Sequence, residues 1–279
     1  IASFDINGDG FDDVYSAGYD GAEIYIGSAG GLSEYSVLGD SGGGSHVALA
    51  DFVGYGAPQA VVVDSAAPNG GTLLFSISVD EVNETVTLEE QAILPEPIMN
   101  TAEFDSVLTQ SIPRSHDVRV EAVDFSNDGL IDVVVFSRAD NDPQTGQWPE
   151  ISQVQFLENK GDGTFSDVTA AILPNYDFNS NVGYEPIIDD FNGDGYIDIF
   201  ISDADFQDPH SSSVFLMGSS DGSFTETGRD ILSEIVPSEG GMATVVKDNA
   251  DDYFILVGTQ SIGASGTQED LSLHPVNFL

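Results

Sequence analysis

Of 279 residues, 48 are acidic and 6 are basic, a formal net charge of −42, and there is no cysteine. So dense a negative shell repels nucleic acid and anionic membrane, and the lack of cysteine excludes a disulfide framework and thiol chemistry. Seventeen Phe and nine Tyr in a chain that is 41% hydrophobic argue for a folded core rather than disorder, and no apolar run approaches the roughly 18 residues that span a bilayer.

The chain opens on a strand-like run, Ile1–Phe4, and passes at once into Asp5-Ile-Asn7-Gly-Asp9-Gly10-Phe11-Asp12-Asp13. Strands are expected next at Asp13–Ser16, Ala22–Ile26 and Glu34–Leu38, with a turn at Ala29-Gly30-Gly31. The second stretch, His46–Ala50, leads into a degenerate loop, Asp51-Phe-Val53-Gly-Tyr55-Gly56, followed by strands at Ala60–Asp64 and Thr72–Ser78. Val53, Tyr55 and Gln59 occupy the places of ligands there, so no ion is expected in that loop.

The third stretch, Val118–Val123, carries the motif again as Asp124-Phe-Ser126-Asn-Asp128-Gly129-Leu130-Ile-Asp132. Strands follow at Ile131–Ser137, Gln153–Glu158 and, after the turn Lys160-Gly161-Asp162-Gly163, at Phe165–Val168. The fourth repeats the plan: Glu185–Asp189, then Asp190-Phe-Asn192-Gly-Asp194-Gly195-Tyr196-Ile-Asp198, then Ile197–Ser202, Ser213–Met217, the turn Ser220-Asp221-Gly222, and Phe224–Thr227. A fifth stretch, from Ala243 through Asp248 and Asp252 to Tyr253–Val257, has a shortened loop, a third strand at Asp270–His274 and no clear fourth.

The nine-residue motif names an ion. Oxygen side chains at positions 1, 3, 5 and 9 and the backbone carbonyl of position 7 can wrap one hard cation, and Gly at position 6 permits the sharp turn. The expected ligands are Asp5, Asn7, Asp9, Phe11 and Asp13 in the first loop. They are Asp124, Ser126, Asp128, Leu130 and Asp132 in the second, and Asp190, Asn192, Asp194, Tyr196 and Asp198 in the third. Carboxylates about 5 Å apart repel by a few kcal/mol per pair at an effective dielectric near 20, and a bound cation relieves this. Three Ca²⁺ ions are expected, since many oxygens suit Ca²⁺ better than Mg²⁺, which keeps its waters. An EF-hand is excluded. Position 12, where it needs a bidentate Glu, is Ser16, Val135 and Ile201, and strand-type runs rather than helices follow the loops.

The first Asp of each repeat falls at 5, 51, 124, 190 and 248. A four-stranded repeat of about 45 residues with variable insertions is the signature of a β-propeller blade. The fold expected is all-β, a single β-propeller domain or segment with blades near 1–45, 46–98, 117–174, 183–236 and 241–279. We favour a segment of a longer polypeptide over a five-bladed ring with irregular closure.

The Asp loops together with the downstream Val-Phe-Leu run and Asp-Gly-x-Phe turn resemble the FG-GAP and VCBS-type repeats of integrin alpha-subunit propellers and large bacterial surface proteins. The resemblance spans nearly the whole chain. It implies a calcium-binding propeller, in most members seven-bladed, secreted or on the cell surface. With the acidic composition, a bacterial source in a marine or high-salt setting is expected.

In an up-and-down blade the three Asp loops share one face, where calcium is expected to stiffen the turns. The opposite face carries the long polar insertions, at 94–116, 138–150 and 203–212, where binding usually concentrates. Trp148, the only Trp, stands there with Gln147, and Phe206 and His210 stand in the next insertion. An aromatic ring beside amides suits a carbohydrate or a protein ligand. The function expected is adhesion or recognition within a larger protein, with a calcium-stabilised spacer as the alternative. Catalysis has little support: the four His share no metal spacing, and no nucleophile elbow, phosphate loop or dinucleotide fingerprint occurs. A polysaccharide lyase or glycoside hydrolase using scattered carboxylates is the enzymatic alternative.

Overall fold

The computed structural model describes residues 1–18, 20–40, 42–63, 71–95, 115–139, 152–174, 186–201, 214–227, 241–248, 252–263 and 266–275. Among them the chain is all-β, with nineteen strands and one four-residue helix, α1 (Thr169–Ile172). No helix among the described residues is long and apolar enough to cross a membrane. The chain divides into two compact units, Ile1–Pro149 with Val154–Thr169, and Glu150–Gln153 with Ala170–Leu279.

In the first compact unit, β1 (Ala2–Phe4), β2 (Asp13–Gly18), β3 (Gly21–Ile26) and β4 (Ser33–Gly39) form an antiparallel meander. A second meander follows: β5 (His46–Ala50), β6 (Gln59–Val63), β7 (Leu73–Asp80) and β8 (Thr85–Ile93). The sequence anticipates two separate four-stranded units here. The structure instead joins them into one eight-stranded sheet, ordered β1-β2-β3-β4-β8-β7-β6-β5. The cause is β8, a strand the sequence reading leaves out. It pairs parallel to β4, with Ser36 opposite Thr85 and Gly39 opposite Leu88. The Ser36 and Asp40 N–H groups extend the ladder to the Glu84 and Leu88 carbonyls, each at 3.0 Å. The sheet folds back until its end strands, β1 and β5, touch. Tyr15, Ile24, Val47, Leu49, Val62, Phe75 and Leu88 fill the space between the two halves.

In the second meander β5, β6 and the start of β7 are buried on both faces, which explains their nearly continuous apolar runs. Val47 and Leu49 face the first meander, whereas Ala48 and Ala50 face a second sheet; Ala60 and Val62 alternate with Val61 and Val63 in the same way. That second sheet contains β9 (Ser115–Val123), β10 (Asp132–Ala139), β11 (Ser152–Asn159) and β12 (Phe165–Asp167) in the order β12-β11-β10-β9. Its Val120, Val133, Val135 and Leu157 close the interface. Each such side chain contributes roughly 1.5–3 kcal/mol when fully buried. His46 of β5 adds a polar link: its Nδ1 accepts from the Val120 N–H at 3.5 Å. Burial, with Arg119 beside it, holds the imidazole down to about 4, so His46 is neutral at ordinary pH.

In the second compact unit, β13 (Ile187–Asp189), β14 (Asp198–Ile201), β15 (Val214–Gly218) and β16 (Phe224–Thr227) form an antiparallel meander in chain order. A three-stranded sheet follows, β17 (Gly241–Lys247), β18 (Tyr253–Gly263) and β19 (Gly266–Pro275). The third strand expected at Asp270–His274 lies within β19, which is longer at both ends. Phe191, Phe200, Phe215 and Ile255 form the core of this unit. Phe191 meets Phe215 edge to face at 5.4 Å, a favoured geometry for aromatic pairs.

Candidate metal centre

Each of the three motif loops connects the first and second strands of its strand group: β1 to β2, β9 to β10, and β13 to β14. The first Asp of each loop turns its carboxylate back onto the loop's own backbone. Asp5 Oδ1 accepts from Gly8 N at 2.8 Å and Asp9 N at 3.1 Å, and its Oδ2 accepts from Gly10 N at 2.8 Å. Asp190 does the same with Gly193, Asp194 and Gly195, at 2.8, 3.0 and 2.8 Å. Asp124 accepts from Asp128 N at 3.2 Å and Gly129 N at 3.0 Å. The fifth residue accepts from the N–H of the seventh: Asp9 from Phe11 at 2.9 Å, Asp128 from Leu130 at 2.8 Å, and Asp194 from Tyr196 at 2.9 Å.

This winding requires a left-handed backbone at positions 4 and 6. Gly8 and Gly193 have φ of 77° and 76°, and Gly10 and Gly195 have 89° and 90°. The middle loop places Asn127 at position 4 with φ 60°, and Asn is the residue other than Gly that enters this region most readily.

The ninth residue does a different job. Asp13, Asp132 and Asp198 are fully buried, and each joins its loop to the end of the third strand of the same group. Asp13 accepts from Ile6 N at 2.7 Å and from Gly27 N at 2.6 Å. Asp132 accepts from Ser126 N at 3.0 Å and Asn159 N at 2.9 Å. Asp198 accepts from Phe191 N at 3.0 Å and Gly218 N at 2.8 Å. At Gly27 and Gly218 a Cβ would overlap the carbonyl oxygen of Asp12 or Ile197. Asn159 solves the same approach differently, donating its Nδ2 to Ile131 O at 2.8 Å.

The degenerate loop has the same winding. Asp51 accepts from Tyr55 N at 3.1 Å and Gly56 N at 2.7 Å, and Gln59 Oε1 takes the ninth-position role by accepting from Phe52 N at 2.8 Å. A neutral side chain therefore takes over the bond to the loop's second residue where the third and fifth positions carry no carboxylate or amide oxygen.

Among the described residues no group of three or more His, Asp or Glu side chains converges as a metal cluster; the carboxylates are turned onto N–H groups. The donor set nevertheless fits a hard cation. Side-chain oxygens stand at positions 1, 3, 5 and 9 of each loop, and carboxylate oxygens retain further lone pairs after accepting one N–H. Ser126 Oγ, at position 3 of the middle loop, is buried. It lies close enough to Asp132 to lower that carboxyl's pKa, yet it meets no partner at hydrogen-bonding geometry. An orphaned oxygen at a ligand position is what a cation would satisfy.

The electrostatics point the same way. Burial pushes the Asp198 carboxyl up to about 6; the Gly218 and Phe191 N–H groups pull it back, and the Asp194 charge raises it further. Burial also raises Asp13 and Asp132. Because the folded pKa of Asp198 is raised, its contribution to stability is complete below about 3.8 and is lost as pH rises through about 6. A cation binding at this loop must displace that proton. Its affinity is therefore expected to be about tenfold weaker at pH 5 than at pH 7, as measured by calcium titration at the two pH values. An affinity that does not change with pH would contradict this role for Asp198.

Sequence reasoning missed Gly27, Asn159 and Gly218 as partners of the ninth residue. They lie 14, 27 and 20 residues after it, a spacing that varies with the intervening connection, so no fixed pattern marks them. Trp148, Gln147, Phe206 and His210 lie outside the described residues. Comparison with protein-family models and with curated proteins finds no match.

Proposed function

We propose that this chain is a calcium-binding β-propeller module of a larger secreted or cell-surface protein, akin to the FG-GAP and VCBS-type repeats it resembles. The observation that carries this reading is the recurrence of one loop at one place in three strand groups. Each time the same oxygens stand at positions 1, 3, 5 and 9, and each time a fully buried carboxylate at position 9 ties the loop to the third strand. Bound calcium would supply the positive charge that these carboxylates lack, stiffening the turn and offsetting their repulsion.

Three features support blades as the building block. The strand groups are antiparallel meanders in chain order. The second is packed face to face between the first and third. β4 and β8, the last strands of the first two groups, run in the same direction, as equivalent strands of neighbouring blades do, although here their pairing joins the two groups into one sheet.

The role of such a module is recognition of a carbohydrate or protein ligand by the connections between second and third strands. A glycan array with folded protein, run in millimolar calcium and again in EDTA, tests this. Binding that is present in calcium and lost in EDTA is expected. No binding in either condition would move the function to a calcium-stabilised spacer or to a protein partner.

A further inference from the structure

Among the described residues, the 5–13, 51–59 and 190–198 loops are each held by a residue from the strand group that follows in the chain. Glu81, beyond β7, accepts from Asn7 Nδ2 of the first loop at 3.1 Å. Asn159, at the end of β11, donates Nδ2 to the Phe52 carbonyl of the degenerate loop at 2.7 Å. Tyr253, at the start of β18, directs its hydroxyl to Asp189 Oδ2 at 2.8 Å and to the Asp190 carbonyl at 3.3 Å.

The Tyr253 brace is the most developed. Its ring meets Phe191 edge to face at 5.3 Å, and Lys247 Nζ lies 4.8 Å from the ring centroid. Asp189 Oδ1 in turn accepts from Asp190 N at 2.9 Å. Tyr253 thus touches residues 189, 190 and 191 together, and so fixes the backbone from which the Asp190 carboxylate reaches Gly193, Asp194 and Gly195. Packing alone does not require the hydroxyl. The equivalent loop residue Phe52 pairs edge to face with Phe165 of the following strand group without one.

We propose that Tyr253 is a positioning residue for cation binding at the 190–198 loop, coupling that loop to the β17–β19 sheet. The proposal rests on the calcium reading above. Its substance is that the hydroxyl holds Asp190 ready for the ion, so its loss weakens binding at this loop and spares the other two.

Calcium titration of glycine-¹⁵N-labelled protein followed by NMR resolves the loops. Gly10, Gly129 and Gly195 each donate to the first Asp of their own loop. In Tyr253→Phe, which keeps the ring, the Gly195 curve is expected to move to about five- to tenfold weaker affinity, the net effect of one hydrogen bond. The Gly10 and Gly129 curves and the unfolding midpoint in EDTA stay at parental values. Parental affinity at Gly195 overturns the brace and leaves the calcium reading standing. A loss spread over all three glycines, or a lower midpoint in EDTA, reduces Tyr253 to a packing residue. No calcium shift at any of the three in the parent overturns the calcium reading and the brace with it. Should Tyr253→Phe fail to fold, Asp189→Asn removes the charge from the hydroxyl's acceptor and is read against the same outcomes.

Discussion

Asp198→Ala is expected to lower the stability of the second compact unit by roughly 4–6 kcal/mol in saturating calcium, and by no more than about 2 kcal/mol in EDTA at pH 7. The Phe191 and Gly218 N–H groups lose their acceptor at a fully buried position, and each buried, unpaired donor costs about 1–3 kcal/mol. Without an ion, that loss is offset by relief of the buried charge. A carboxyl raised from 3.8 to about 6 carries an ionisation penalty on the order of 3 kcal/mol at pH 7. With calcium bound the charge is already compensated, so no relief is available, and the ion's own stabilisation is lost as well.

Asp194→Ala is the contrast that separates fastener from ligand. Asp194 is exposed and accepts from Tyr196 N at 2.9 Å and Asn192 Nδ2 at 3.0 Å, where water can replace it. Its removal is expected to cost less than about 1 kcal/mol in EDTA while still abolishing the ion. Urea unfolding of both variants, with and without calcium, gives the comparison. In saturating calcium Asp198→Ala is expected to cost more than Asp194→Ala, by the two buried N–H groups it leaves unpaired, and equal destabilisation there would contradict the fastener role.

Removing calcium from the parent should have the second large effect, and an uneven one. Loops 5–13 and 124–132 belong to the first compact unit, and loop 190–198 to the second. For extracellular modules with dissociation constants near 0.1 mM, 10 mM calcium stabilises by about 2.7 kcal/mol per site. The first unit is therefore expected to lose about 5 kcal/mol in EDTA and the second about 2.7 kcal/mol. Urea unfolding followed by probes in each unit measures this. The same unfolding free energy in calcium and EDTA would argue that the Asp turns are held by their N–H bonds alone.

The loops could be read from sequence because their chemistry is local: the bonds accepted by the Asp5, Asp124 and Asp190 carboxylates close within five residues. Strand type is also readable, since Val61-Val62-Val63 and Ile199-Phe200-Ile201 are β-branched or aromatic runs. β8 is not legible in the sequence because the alternation of Thr85-Val86-Thr87-Leu88 dissolves into Glu89-Glu90-Gln91, and only its pairing with β4 and β7 shows it to be one strand. That parallel pairing depends on contacts about 50 residues apart, which no local pattern records. Gln59 was readable as a lost ligand but not as a retained hydrogen-bond acceptor, because its role depends on where the Phe52 N–H points. The braces by Glu81, Asn159 and Tyr253 were hidden for the same reason. Their partners lie 74, 107 and 64 residues away.

The most direct test of calcium binding is a calorimetric titration of the protein with Ca²⁺ after exhaustive removal of metal by chelation. Three ions per chain are expected, falling to two in Asp194→Ala. No binding heat, and an Asp194→Ala trace the same as the parent's, would contradict it.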